Sequence, residues 1–318
     1  MSRLAQGSLV VSSSPHVHSE ATTQKIMLDV IIAMIPAIIM SAVVFGERAV
    51  LMTCVCAGAS AAFEALYRKL MKKEQTVQDL SAIVTGILIA LNVPVTLPFW
   101  QAVLGCGFAI IIVKQLFGGI GQNFVNPAIA ARVFLLVSFA TPMTTWSVTR
   151  QMVAAGVDAT TMATPLGLLA EGAVDQLPSN LDLFLGFCGG SLGETSALAL
   201  LIGGIYLVVR KVISPVIPVS YMATVALFAL LMGQDPIFHL CAGGVMLGAI
   251  FMATDYTTAP LTTTGRIIFG VGCGFITMVI RLFGSYPEGV SFAIMLMNII
   301  TPHIDNLSRR KLYGGVKA

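Results

Sequence analysis

Apolar residues occupy ten runs along the chain, at residues 26–45, 49–67, 80–92, 99–117, 126–141, 190–209, 214–233, 236–254, 266–283 and 288–302. A membrane-spanning helix needs about 20 predominantly apolar residues. The pattern therefore predicts an all-α integral membrane protein with about ten transmembrane helices. Two runs are cut short by helix-breaking sequence: 80–92 ends in Asn92-Val93-Pro94, and 126–141 starts with Asn126-Pro127-Ala128. Proline lacks the backbone N–H and restricts the residue before it, so broken or half helices are expected there. One long polar stretch, at 141–182, interrupts the alternation. The expected organisation is a polar tail (1–25), a first membrane half (26–141), a long loop (142–189), a second membrane half (190–302) and a second tail (303–318).

Charge placement orients these spans. Of the eighteen Lys and Arg residues, all but Arg48, Arg132, Arg150 and Arg281 fall in the tails and in alternate turns on one side. Positive loops mark the cytoplasmic face, so both termini are expected inside and the 142–189 loop outside. The charges of that loop are mainly acidic: Asp158, Glu171, Asp175 and Asp182 against Arg150.

The halves also repeat. Gly105-Cys106-Gly107-Phe108 recurs as Gly272-Cys273-Gly274-Phe275, and Leu116-Phe117-Gly118 as Leu282-Phe283-Gly284. Five spans per half make the second copy inverted, with Lys114 ending its span inside and Arg281 ending the matching span outside. Inverted repeats with interrupted helices are a transporter-like architecture, with a site where the halves meet. The breaks at 92–98 and 253–260 occupy equivalent places and are rich in hydroxyl and carbonyl oxygen. They suit an ion or a polar ring, and hydroxyls equally cap helix ends.

Composition excludes a soluble fold. Hydrophobic residues make up 56% and charged residues 10%, with a mean hydropathy of +0.89; soluble domains carry about 25% charge. Lipid must be the solvent. The net charge of +3 is scattered among turns, so no nucleic-acid partner is implied. The polar first 25 residues and the long first apolar run do not read as a secretory signal. The six cysteines (Cys54, Cys56, Cys106, Cys188, Cys241, Cys273) have neither zinc-like nor iron–sulfur spacing, and no dinucleotide fingerprint is present. Cys54 and Cys56 lie on different faces of one helix. His16 and His18 lie in the N-terminal tail, as a docking segment rather than a metal site.

The long loop holds the most specific chemistry. Asp158-x-x-Thr161-x-Ala163-Thr164 resembles the site at which a flavin transferase esterifies FMN to a threonine. Average composition produces such a pattern in on the order of one chain of this length in a hundred. Attachment needs a hydroxyl that a second enzyme can reach. Pro165 disfavours helix for the residue before it, so Thr164 is expected in extended, accessible backbone. An ordinary threonine-rich loop with Asp158 as a helix cap is the bland alternative. Asp255 follows an apolar run, and an ionisable group at membrane depth is a candidate for ion or proton handling; a helix cap at the interface is again the alternative. Asp29 reads as interfacial. Lys114, Gln115, Asn123, Asn126 and Arg132 surround a Gly-rich, re-entrant turn entering a helix, whose N-terminus favours an anionic or electron-rich group; a plain cytoplasmic turn is the alternative. Lys114 is expected to snorkel to the cytoplasmic surface, and Arg132 to find a carboxylate or carbonyl within its span.

Four stretches carry a wider likeness: Ser13-Ser-Pro-His16 with Ile26-Met-Leu28, the Lys114–Ala128 block, Asp158–Leu166, and Arg281–Ala293. Over nearly its whole length the chain resembles the RnfD/NqrB family. These are membrane subunits of the ion-pumping ferredoxin–NAD oxidoreductase (Rnf) and of the Na⁺-translocating NADH–quinone oxidoreductase. At 318 residues the chain lacks the longer N-terminal region of the quinone-reductase subunit, which favours the Rnf type. The resemblance implies covalent FMN on Thr164, a noncovalent riboflavin in the membrane part, Rnf-type iron–sulfur and flavin subunits as partners, and a flavin transferase for maturation. It also implies Na⁺ or H⁺ as the moved ion and the prokaryotic inner membrane as location. The loop is shorter than in some members, leaving less protein to shield a flavin. A non-redox secondary transporter or channel fits the inverted repeat equally well.

Overall fold

A computed structural model describes residues 22–154, 161–173, 175, 177–284 and 289–308. In the first half, α1 (Thr23–Phe45) and α2 (Glu47–Leu70) are long apolar helices, and α3 (Ser81–Leu91) is a half helix. Next come α4 (Phe99–Gly107), which runs on as a π-helix over Phe108–Gln115, and α5 (Pro127–Ser138). The second half repeats the order: α10 (Ala197–Val209), α11 (Val216–Leu231), then a broken helix made of α12 (Pro236–Cys241), α13 (Val245–Leu247) and a π-turn at Gly248–Met252, then α14 (Thr263–Phe283) and α15 (Val290–Ser308). Between the halves lie α6 (Ala140–Thr144), α7 (Arg150–Ala154), α8 (Pro165–Ala170) and α9 (Asn180–Leu185). A two-residue antiparallel pairing of β1 (Trp146–Ser147) with β2 (Thr161–Met162) sets Trp146 opposite Met162. The all-α expectation thus holds but for this short pairing.

The helices show how the halves relate. In the first half α2 packs on α3 and α4; in the second, α11 packs on α12 and α14. The halves meet through like helices, α1 against α10 and α5 against α15. The start of α1 pairs with the end of α10: Tyr206 and Arg210 donate to Asp29 at 2.8 and 3.3 Å. Equivalent helices therefore run antiparallel, which is the inversion the repeat predicted. Close approach is possible because Gly203 faces the Ala33 carbonyl; a Cβ there would overlap the oxygen. Small residues at helix crossings serve this purpose in membranes.

Three described helices, α1, α2 and α14, are both long and apolar enough to cross a bilayer alone. Five apolar ones are shorter. Large hydrophobics such as Ile39, Leu51, Val209 and Leu231 lie more than half exposed around the outside, a surface only lipid or other apolar protein covers. Run 80–92 is the half helix expected there, and two other spans are corrected: run 236–254 is broken at 242–244, and run 190–209 becomes helical only at Ala197. The reason lies in the backbone. Orphan carbonyls at a broken helix must find donors at membrane depth, and residues 190–196 supply them: Gly193 N–H donates to the Leu91 carbonyl at 2.7 Å and Leu192 N–H to that of Val93 at 3.2 Å. At the second break the side chain of Arg281 donates to the carbonyls of His239 and Ala242, at 2.7 and 2.8 Å.

Candidate functional site

Thr164 stands where β2 ends and α8 begins. Its backbone is extended, at φ −73° and ψ 156°, and its Oγ1 accepts from the Gly167 N–H at 3.1 Å as the cap of α8. The expectation of an extended residue before Pro165 holds. Accessibility does not: Thr164 is only 8% exposed, because α8 seats Leu166 into the protein beside Gly243. Thr161 and Ala163 are exposed, while Asp158 lies outside the described residues. Thr164 forms part of the wall of a cavity of about 280 Å³, together with Arg132, Trp146, Met162, Gly167, Ser291 and Phe292. That is near the lower end of the ~300–1,000 Å³ of small-molecule sites.

Arg132 is buried on α5 and pairs as expected. Its Nη1 donates to Asn92 Oδ1 at 2.8 Å, and Nη1 and Nη2 both reach Glu194 Oε1 at 3.1 Å. Glu194 also accepts from the Ser191 N–H. Sequence reading passed over Glu194, although a lone carboxylate in Gly190-Ser-Leu-Gly-Glu194 beside an apolar run was the signal.

A second cavity, of about 330 Å³, opens between the halves toward the opposite face. Its walls include Val30 of α1, Ser81 and Leu88 of α3, Lys114, Asn123, Phe251 and Asp255. Snorkelling by Lys114 is contradicted. The residue is 2% exposed, its Nζ lies 2.8 Å from Glu64 Oε2, and it donates to Ser81 Oγ at 2.6 Å. The π-helix explains the turn inward: its i→i+5 bonding shifts the phase of later residues, carrying Lys114 from the surface to the α2–α3 side. Glu64, in the middle of the apolar α2 sequence, was the missed partner; it is fully buried and accepts a further bond from Thr76 at 2.6 Å.

Asp255 lies in the turn after the second broken helix, not within a span. Its Oδ2 accepts from Thr257 and Thr258, at 3.0 and 3.3 Å. Asn123 donates to Thr257 at 3.4 Å, so the Gly-rich turn meets this one. Gly118, Gly119 and Gly121 hold positive φ there, and Asn126 caps α5 through Ala128 and Ile129 while donating to the Met252 carbonyl. Among the described residues no three His, Cys, Asp or Glu side chains gather into a metal cluster; an ion at Asp255 would draw on hydroxyls and carbonyls. Cys54 is exposed and Cys56 buried, on different faces as expected. His16, His18 and residues 285–288 lie outside the described residues.

Comparison with known proteins settles the family. The model of the NQR2, RnfD, RnfE family matches residues 10–314. This chain belongs to that family. It is 52% identical over 311 residues to a subunit of the Na⁺-translocating ferredoxin:NAD⁺ oxidoreductase complex of Acetobacterium woodii, covering 97% of this chain and 96% of the relative. It is 40% identical to a subunit of the proton-translocating ferredoxin:NAD⁺ oxidoreductase complex of Clostridium ljungdahlii, covering 96% of each. It is 39% identical to a subunit of the ion-translocating oxidoreductase complex of Stutzerimonas stutzeri, over 92% of this chain and 93% of the relative.

Proposed function

We propose that this chain is a membrane subunit of a redox-driven ion pump of the prokaryotic cell membrane, coupling electron transfer between ferredoxin and NAD to movement of Na⁺ or H⁺. In this reading FMN is esterified to Thr164 on the outer face, with both termini cytoplasmic. The observation that carries it is the placement of the Thr164 hydroxyl in the wall of a cavity lined by Trp146, Met162, Phe292 and the Arg132 cation. Those residues fit the group. Aromatic and thioether walls accept a flat ring, the guanidinium favours electron density, and an ester oxygen at Thr164 keeps the lone pair that caps α8. Bound flavin would supply one- and two-electron chemistry. The chain's own residues anchor it and set Arg132, already paired with Glu194, and the Glu171 carboxylate in the same wall. Because Thr164 is buried, the transferase must act while α8 is lifted, before the segment docks against Gly243.

The inner cavity is where we place the noncovalent riboflavin, with Lys114, Ser81 and Asn123 as the polar wall. Asp255, at the cytoplasmic mouth of the same cavity, is the proposed ion-handling carboxylate. Relatives at similar identity are named for different ions, so family membership leaves the ion open. Electrons would enter from Rnf-type partner subunits.

Thr164→Val decides between this and a non-redox transporter, which the inverted repeat also suits. The variant, coexpressed with the transferase, should lose the FMN-sized mass increment and in-gel fluorescence that the parent chain carries. A parent chain with no flavin, despite an active transferase, leaves the transporter reading. Asp255→Asn should lower the number of ions moved per electron; a complex pumping at the parent ratio removes Asp255 from the pathway.

A further inference from the structure

The Arg132–Glu194 pair stands at a junction between the two halves. Arg132 belongs to α5 in the first half and Glu194 to the segment entering the second. Both border the surroundings of Thr164: Arg132 in the wall of the same cavity, and Glu194 in a narrow gap shared with Thr164, Leu166 and Gly243. The pair also touches both broken helices. Asn92, at the end of α3, accepts from Arg132. At the other break a Cβ on Gly244 would lie 2.9 Å from Glu194 Oε1 and 3.5 Å from Arg132 Nη1, so the pair sits directly on the turn between α12 and α13. Side chains 5% exposed are poorly screened by solvent or salt. Any charge added beside Thr164 therefore acts on the pair strongly and with opposite signs on its two members.

We propose that the Arg132–Glu194 pair is the element that transmits charge at the Thr164 site to the two broken helices; this rests on the reading of Thr164 as the flavin anchor. An electron passed to the cavity from a reduced one-electron carrier in a neighbouring subunit, with no proton accompanying it, leaves that carrier oxidised by one electron and adds one negative charge to the cavity. That charge attracts Arg132 and repels Glu194. Opening the pair frees Asn92 and unpacks the side chains that lie on Gly244, while Arg281 still holds the His239 and Ala242 carbonyls; both breaks lose a contact at once. A proton arriving with the electron cancels the added charge and leaves the pair closed. Arg132 and Glu194 are positioning residues in this scheme.

The test uses the intact complex with its covalent flavin, comparing the parent with Arg132→Gln, Arg132→Lys and Glu194→Gln. The readouts are the reduction potential of the Thr164-linked flavin and the ions moved per electron. Arg132→Gln should lower the one-electron potential and Glu194→Gln should raise it, each by at least tenfold in the reduction equilibrium, about 59 mV for a one-electron couple. Arg132→Lys should restore most of the parent value. Ions per electron should fall in both neutral variants. Shifts of the same sign, or none, are what packing damage alone would give, and overturn the proposal. Should the Arg132→Gln complex not assemble, the sign for Glu194→Gln decides by itself. A parent complex without flavin on Thr164 overturns the anchor reading and this proposal with it, whereas flavin present with an unmoved potential overturns this proposal alone.

Discussion

Two side chains decide how the inner part of the site is held. Lys114 and Glu64 form a buried pair whose members are each almost unexposed. Removing one partner leaves the other charge uncompensated in a dry environment, at a cost of about 3–5 kcal/mol. Glu64→Ala should therefore lower the thermal unfolding midpoint of the detergent-solubilised protein strongly. The double change Glu64→Gln with Lys114→Met should lower it less, because the buried Lys114 charge goes too and only the partly exposed Arg68, 3.9 Å from Glu64, loses its carboxylate. Equal losses for single and double variants would mean that packing, not charge, explains the site. Thr164 separates two roles by the same logic. Thr164→Ser keeps both the hydroxyl and the cap, while Thr164→Val loses both, and the cap contributes about 1 kcal/mol. At this scale the sequence was legible where the local chain dictates the outcome: Asn126 caps the helix that begins with Pro127, and Thr164 is extended before Pro165. It misled for Lys114 because the side chain's direction depends on a π-helix that no local pattern announced.

Among the elements, the breaks are the informative feature. The segment at 190–196 reads as the beginning of an apolar span, yet it is spent on covering α3. Its backbone approaches Leu91 so closely that a Cβ on Gly193 would lie 2.7 Å from Leu91 Cβ and 2.9 Å from its carbonyl oxygen. Gly193→Ala should push the segment away and orphan the Leu91 and Val93 carbonyls. An unmade buried hydrogen bond costs about 1–3 kcal/mol each, so a clear drop in unfolding midpoint is expected. A helix crossing offers a matched comparison. Gly203→Ala puts a methyl group against the Ala33 carbonyl between α1 and α10, whereas Gly58 of α2 has nothing within 4 Å of its added Cβ. Gly203→Ala should reduce accumulation of the folded subunit, and Gly58→Ala should leave it intact or raise it slightly, since alanine favours helix by about 1 kcal/mol. Equal membrane levels of the two variants would remove the α1–α10 crossing as the tight contact between halves.

For the whole molecule, the segment between the halves is held down by polar links at the surface. Asn180 of α9 donates to Asp235, the cap of α12, at 2.6 Å. That bond holds the Asp235 carboxyl below the usual carboxylate range. A carboxyl with a depressed folded pKa stabilises fully above its unfolded value, near 3.9, and loses that contribution as pH falls through the folded value. Proteolysis of the 141–189 segment should therefore quicken as pH drops below about 4, and Asp235→Asn should blunt that acid dependence. An unchanged acid response in the variant would assign the dependence to other carboxylates.

The sequence by itself determined the solvent, the order of the apolar elements and the inverted repeat. Each of these follows from hydrophobicity, periodicity or local backbone restriction, which a linear pattern records. Tertiary structure alone decided the rest. Glu64 meets Lys114 across 50 positions and Arg132 meets Glu194 across 62, and the runs at 190–196 and 281 serve as caps for helices elsewhere in the fold. A buried charge or an orphan carbonyl must be answered by whichever group the packing brings near it, and that choice belongs to the folded arrangement rather than to neighbours along the chain.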